Sequence, residues 1–169
     1  MDRAPPDTPD FAAVVAGHWD AVYRLLVSLS GDAHVTEDLT QETFLRALNR
    51  FDSFKPGTNL RSWLLRIAAN AFFDERRKRK RSKTGPLDDE PPGRGPAPGH
   101  DLETAERCAR LRAALGELSE LTRLVFHLRV QEGLSYREVA DLAGTTEQSA
   151  RWHLHHARTT LLERLGPDF

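Results

Sequence analysis

Two groups of side chains in this chain have types and spacing suited to chemistry, and in both the chemistry is the recognition of a polyanion. The first is Arg76-Arg77-Lys78-Arg79-Lys80-Arg81, six consecutive cations, preceded by Arg61, Arg66, Trp63, Phe72 and Phe73. Lysine and arginine release counterions from phosphates, and aromatic faces receive unstacked bases. The second is Gln148, Arg151, Trp152 and His155, where glutamine and arginine are the side chains that pair with adenine and guanine edges in a major groove. Bond-making chemistry has no comparable support. Asp74 and Glu75 are adjacent and so diverge on a helix, and no other carboxylate cluster or activated nucleophile stands out. His153 and His156 have the spacing to share a metal, but no cysteine or third converging ligand accompanies them. No cofactor is implied.

Helices must position these groups. Leu60, Trp63, Leu64, Ile67, Ala68, Ala71 and Phe72 recur at the helical period, so Leu60–Arg81 is expected to be a helix with one buried stripe. Trp63 and Phe72 fall on the stripe as core residues, and Phe73 falls off it as the better candidate for a base contact. A basic run of this kind also serves simply as a solvated helix end favoured by the macrodipole. The segment Lys55-Pro56-Gly57-Thr58-Asn59 breaks any preceding helix, with Thr58 or Asn59 placed to cap the next. Upstream, residues 1–9 with three prolines read as a loose arm. Phe11 to Leu29 forms an amphipathic helix ended near Gly31. A second helix begins around Val35 to Thr36, with Glu37 and Asp38 in its first turn and Leu39, Thr43, Ala47 and Leu48 inward. Asp38, Gln41, Glu42 and Leu45 share its outer flank.

The 169 residues carry a net charge of −1, which by itself argues against a nucleic-acid binder. The distribution argues the other way: residues 1–54 carry −5, residues 55–85 carry +8, residues 86–120 carry −4 and residues 121–169 are neutral. Local charge sets local steering. The single Cys108 excludes an internal disulfide framework and fits a reducing compartment. No apolar run approaches the roughly 20 residues that cross a bilayer, and no secretory signal is legible. A cytoplasmic protein without membrane insertion is expected.

Ser82–His100 holds five of the ten prolines and four of the eleven glycines and almost nothing apolar, the composition of a flexible linker. Extended at roughly 3.1 Å per residue it would reach on the order of 60 Å, more than one turn of duplex DNA at about 34–36 Å. Beyond it, Leu102–Leu118 reads as a helix with Leu111, Leu115 and Leu118 buried, and Leu121, Leu124, Val125 and Leu128 mark another that stops by Gly133. Leu134–Glu147 has the punctuation of a helix-turn-helix, with Gly144 at the turn and Thr146 capping the next helix. There Ala150, Leu154, Ala157 and Leu161 face inward, leaving Gln148, Arg151, Trp152 and His155 outside. A plain helical hairpin with a polar face would share that spacing. The fold expected is all-α, two small helical domains (10–81 and 101–165) joined by a flexible linker (82–100), the C-terminal one a helix-turn-helix.

Taken together, Glu37-Asp38-Leu39-Thr40-Gln41-Glu42-Thr43-Phe44, Asn59-Leu60-Arg61-Ser62-Trp63-Leu64 and Ile67-Ala68-Ala69-Asn70 resemble region 2 of bacterial sigma factors, and residues 118–162 resemble region 4. A short linker in place of a large middle domain is similar to the extracytoplasmic-function (ECF) group. The resemblance implies a subunit that directs promoter-specific initiation by bacterial RNA polymerase, performing no bond-making step itself. It places Asp38, Gln41, Glu42 and Phe44 at core polymerase, with Phe44 also suited simply to supporting the helix. It assigns Lys55, Asn59, Arg61, Trp63, Asn70, Phe73, Asp74, Arg76 and Arg77 to melting and capture of the minus-ten element. Thr146, Glu147, Gln148, Arg151, Trp152 and His155 fall where the family reads the minus-thirty-five element. It also implies an anti-sigma factor or other regulator as partner.

Three positions depart from the family pattern. Ser119 stands where proline is usual before the second helix of region 4, so that turn is expected to be less rigid; His156 replaces a basic residue, and Trp152 a small polar one. The rival from another class is a stand-alone helix-turn-helix regulator. It would need a dimerisation surface, and neither a heptad seam nor a spare apolar helix supplies one.

Overall fold

The computed structural model describes residues 10–55, 57–82 and 102–166. The expected N-terminal arm and, beyond Ser82, the expected linker lie outside the described residues. Within them the regular structure is all helical, and the order is α1 (Phe11–Ser30), α2 (Ala33–Asn49), α3 (Leu60–Ser82), α4 (Leu102–Gly116), α5 (Glu120–Phe126), α6 (Tyr136–Ala143) and α7 (Glu147–Leu165). A single 3-10 turn, Phe51–Ser53, follows α2.

In the N-terminal unit α1, α2 and α3 pack mutually. Asp10 caps α1 by accepting from the Ala12 N–H, and Gly31, at φ 66°, ends it in a left-handed turn open to glycine without strain. Asp32 accepts from the Val35 N–H, so α2 starts at Ala33 rather than at Val35 to Thr36. Glu37 and Asp38 therefore stand a turn further in than expected, away from the helix N-terminus. Leu25, Leu26, Leu64 and Leu65 are fully buried between the helices, each contributing about 2 kcal/mol of transfer free energy. Three buried threonines on α2 keep their hydroxyls satisfied by donating one turn back, Thr36 to Asp32 O, Thr40 to Thr36 O and Thr43 to Leu39 O.

In the C-terminal unit α4, α5 and α6 each pack on α7. On α4 the buried positions are Ala114 and the following Leu118, with Leu111 and Leu115 half-buried. Helix α5 runs on into a π-helical turn, His127–Gln131. Ser135 and Glu138 form a reciprocal capping box at the start of α6, Gly144 (φ 64°) ends it, and Thr146 caps α7 by accepting from the Ser149 N–H. Ala150, Leu154, Ala157 and Leu161 are buried as their spacing requires.

Two expectations are corrected. Leu48 points outward and is 51% exposed, because the inward stripe of α2 is supplied by Leu39, Thr43, Phe44 and Ala47. On α3 the buried face is wider than one stripe: Leu65 and Ala69 are buried as well. The reason is tertiary. The two helical units are packed against each other, α1 on α5 and α3 on α6, and buried residues of both belong to one apolar cluster.

Candidate nucleic-acid interface

Asn59 accepts from the Ser62 N–H at 3.1 Å, and the Thr58 hydroxyl donates to Lys55 O at 2.7 Å, so the short polar segment before α3 is braced from both ends. Lys55 is exposed beside it. Trp63 is half-buried under Phe54, with ring centroids 5.3 Å apart, and near Phe51 at 6.4 Å. It is a wall of this corner more than a free platform. Phe73 is half-buried with its ring edge-on to Phe72, and Asn70 is exposed one turn before it.

Charged side chains of α3 are largely engaged. Asp74 accepts from Arg46 Nη1 at 2.9 Å and also pairs with Arg77. Hydrogen bonding to Arg46 comes first among the causes that hold its carboxyl below the usual range. Arg46 also grips Glu42, through Nη2 at 2.6 Å and Nε at 3.0 Å. Glu42 and Asp74, expected to face polymerase and DNA respectively, are thus two ends of one ion-paired bridge from α2 to α3. Arg76 pairs with Glu120 of α5, and Arg61 donates to Glu132 at 2.5 Å. The Glu132 side chain is 1% exposed. Beside it lies His127, whose imidazole pKa is pushed down to about 4, chiefly by burial, against the attraction of Glu132. Glu132 and His127 carry no sequence pattern that marks them, since their meaning depends on which helix the fold brings opposite.

The outer flank of α2 is open at Asp38 and Gln41, and Leu45 and Leu48 extend it as an apolar continuation, 62% and 51% exposed. Helical spacing alone puts only Leu45 on that flank. Phe44 takes the second of the two roles expected for it, support of the helix and not surface contact: it is 5% exposed and stacked on Trp19 with rings 5.5 Å apart. It holds α2 from inside.

On α7, Thr146, Glu147, Gln148, Arg151, Trp152 and His155 are all exposed, as expected for a reading face. Glu147 pairs with Arg151 at 3.5 Å, and Arg151 lies 4.2 Å over the Tyr136 ring. Trp152 stacks on His156 at 5.1 Å, so the two departures from the family pattern form one aromatic ridge. His153 instead turns to α5, with Nδ1 2.8 Å from the Thr122 hydroxyl. That same Thr122 hydroxyl contacts Ser119, and Ser119 accepts from the Thr122 N–H to cap α5. The turn expected to be loose for want of proline is fixed by this cap and hydroxyl chain. Among the described residues no group of three metal-ligating side chains converges.

Residues 14–82 match the family description Sigma-70 region 2, and residues 108–161 match Sigma-70, region 4. The chain is 38% identical over 161 residues to the ECF RNA polymerase sigma factor SigE of Mycolicibacterium smegmatis, covering 94% of this chain and 62% of that relative. It is 32% identical to the ECF RNA polymerase sigma factor SigM of Bacillus subtilis, covering 83% of this chain and 85% of that relative. Among solved structures, the sigma factor RpoE in complex with the anti-sigma factor NepR from Bartonella quintana is similar at TM-score 0.81 and 29% identity, covering 95% of this chain and 99% of that one. With both regions matched in order around an arrangement of helices found in solved sigma factors, the chain belongs to the sigma-70 family, among its ECF RNA polymerase sigma factors.

Proposed function

We propose that this chain binds bacterial core RNA polymerase and directs promoter-specific initiation, with no bond-making step of its own. Residues 10–81 act as the docking and minus-ten domain, 82–100 as the linker and 101–165 as the minus-thirty-five domain. The observation that carries this reading is the open flank of α2, where exposed Asp38 and Gln41 continue into exposed Leu45 and Leu48. A regulator binding DNA alone has no use for an exposed mixed acidic and apolar flank, whereas a subunit that must dock on a larger enzyme does. Asn70, Phe73 and the basic end of α3 serve the melted strand, and Gln148, Arg151, Trp152 and His155 serve the duplex upstream. A cytoplasmic site of action follows from the template, and no described helix is long and apolar enough to cross a membrane. An anti-sigma factor is the expected regulator, since the similar sigma factor RpoE is seen in complex with the anti-sigma factor NepR.

The test is binding of the purified chain to bacterial core RNA polymerase, compared with the double variant Asp38→Arg, Leu45→Arg. Glu42 is left intact because it belongs to the Arg46 bridge. Tight binding by the parent and at least about tenfold weaker binding by the variant, a loss of roughly 1.4 kcal/mol, is the expected result. Selection of promoter fragments from a random library by the resulting holoenzyme then reads specificity. No binding by the parent moves the assignment to a stand-alone regulator.

A further inference from the structure

Among the described residues Trp152 is the one exposed phenylalanine, tyrosine or tryptophan, standing 59% exposed on α7. Covering an indole that is left in water is favourable, and this indole is also held still. His156, one turn further on, stacks against it with rings 5.1 Å apart and 14° from parallel. His153 meets it edge-on at 5.0 Å, and His153 is itself anchored through Nδ1, 2.8 Å from the buried Thr122 hydroxyl on α5. Much of the side-chain freedom that a partner would have to remove is therefore already gone. Gln148, Arg151, Trp152 and His155 follow one another at i, i+3, i+4 and i+7. The indole thus lies within the stripe assigned to the upstream duplex, and exposed Arg158 extends that side with a cation suited to phosphate.

We infer that Trp152, braced by His156, selects thymine in the upstream duplex by apolar contact with the thymine C5-methyl group. This inference rests on the assignment of α7 to that duplex in the preceding section. A recognition helix in a major groove meets base edges made of hydrogen-bond donors and acceptors, and the thymine methyl is the apolar group among them. The ring carbons of an indole offer nothing to a purine N7 or O6, and they gain by covering a methyl. Gln148 and Arg151 on the same stripe carry the groups that pair with adenine and guanine. The three side chains therefore divide the edge types of a short site between them. His156 is a positioning residue: it acts on the base only through the indole it stacks on.

The test uses the holoenzyme on a promoter fragment that it selects from a random library. Each thymine of the upstream element is replaced in turn by deoxyuridine, which keeps every hydrogen-bonding group of the base and removes only the methyl. The quantity read is the ratio of affinities for the thymine and deoxyuridine fragments within each chain, so a change in folded fraction cancels. For the parent the ratio is expected to reach about fourfold at one thymine, the worth of one buried methyl. In Trp152→Ala it is expected to fall to about one at that same position. His156→Ala is expected to shrink the ratio, and His156→Phe, which can stack but carries no charge, to restore it. A parent ratio near one at every thymine overturns the inference, because the indole then reads no methyl. A ratio that survives in Trp152→Ala overturns it too, because another group then reads the methyl. Failure of His156→Phe to restore the ratio overturns the bracing role of His156. A holoenzyme that selects promoters without any such ratio keeps the proposed function and loses only this inference, and a chain that binds no core polymerase loses both.

Discussion

His127 is a titratable side chain whose charge is set chiefly by burial. It is 4% exposed, and Glu132, Arg24 and Arg61 supply the charges around it. Burial keeps it neutral and its pKa falls to about 4 from the ordinary 6.5. A group that binds its proton less readily when folded subtracts stability as pH falls from its unfolded value towards its folded one. The protein is therefore expected to lose on the order of 3 kcal/mol from this residue between about pH 6.5 and pH 4. Denaturant midpoints across that range, compared with those of His127→Gln, isolate the contribution, and the variant's curve should be flatter by that amount. The Asp74 carboxyl, held low by Arg46, acts at more acidic pH and cancels in the comparison, since it is present in both chains.

At the scale of elements, the turn into α5 carries the sharpest test. The family pattern suggests a weak point at Ser119, yet the Ser119 hydroxyl caps α5 and meets Thr122, whose own hydroxyl reaches His153 on α7. A cap of this kind is worth about 1 kcal/mol. Ser119→Ala is expected to cost about that much in chemical denaturation, with proton exchange accelerated over 120–126 more than elsewhere. Ser119→Pro removes the hydroxyl as well, so it should not recover the loss even though proline stiffens the backbone. The helix-turn-helix is held differently: the Ser135–Glu138 capping box starts α6 and Thr146 starts α7, both of them local bonds legible in sequence order.

At the scale of the whole molecule, the two helical units share an apolar cluster as well as ion pairs. Charge pairs as exposed as Arg76 with Glu120 contribute at most about 1 kcal/mol. Glu132 is another matter, because removing Arg61 strands its carboxylate in a buried site. The parent is expected to unfold in one calorimetric transition, and Arg61→Ala to separate the N-terminal and C-terminal transitions as the coupling weakens. A parent that already melts in two well-resolved steps would show that the shared cluster does not bind the units into one cooperative body.

The helices, the helix-turn-helix and the outward face of α7 were legible before any fold was known, because helical period, caps and turn glycines are interactions within a few residues of one another. Ala150, Leu154, Ala157 and Leu161 are buried where their spacing puts them, and Gln148, Arg151, Trp152 and His155 are exposed on the other side. The same locality explains the errors. Phe44 and Leu48 both lie on an apolar-rich helix, and only its packing against Trp19 shows which one turns in. Tertiary structure alone decided that Glu42 and Asp74 meet at Arg46, that Leu65 and Ala69 are covered, and that Arg61 finds Glu132 seventy-one positions away. Such pairings depend on how two helical units dock, and docking is set by shape and charge summed over surfaces that no short stretch of sequence contains.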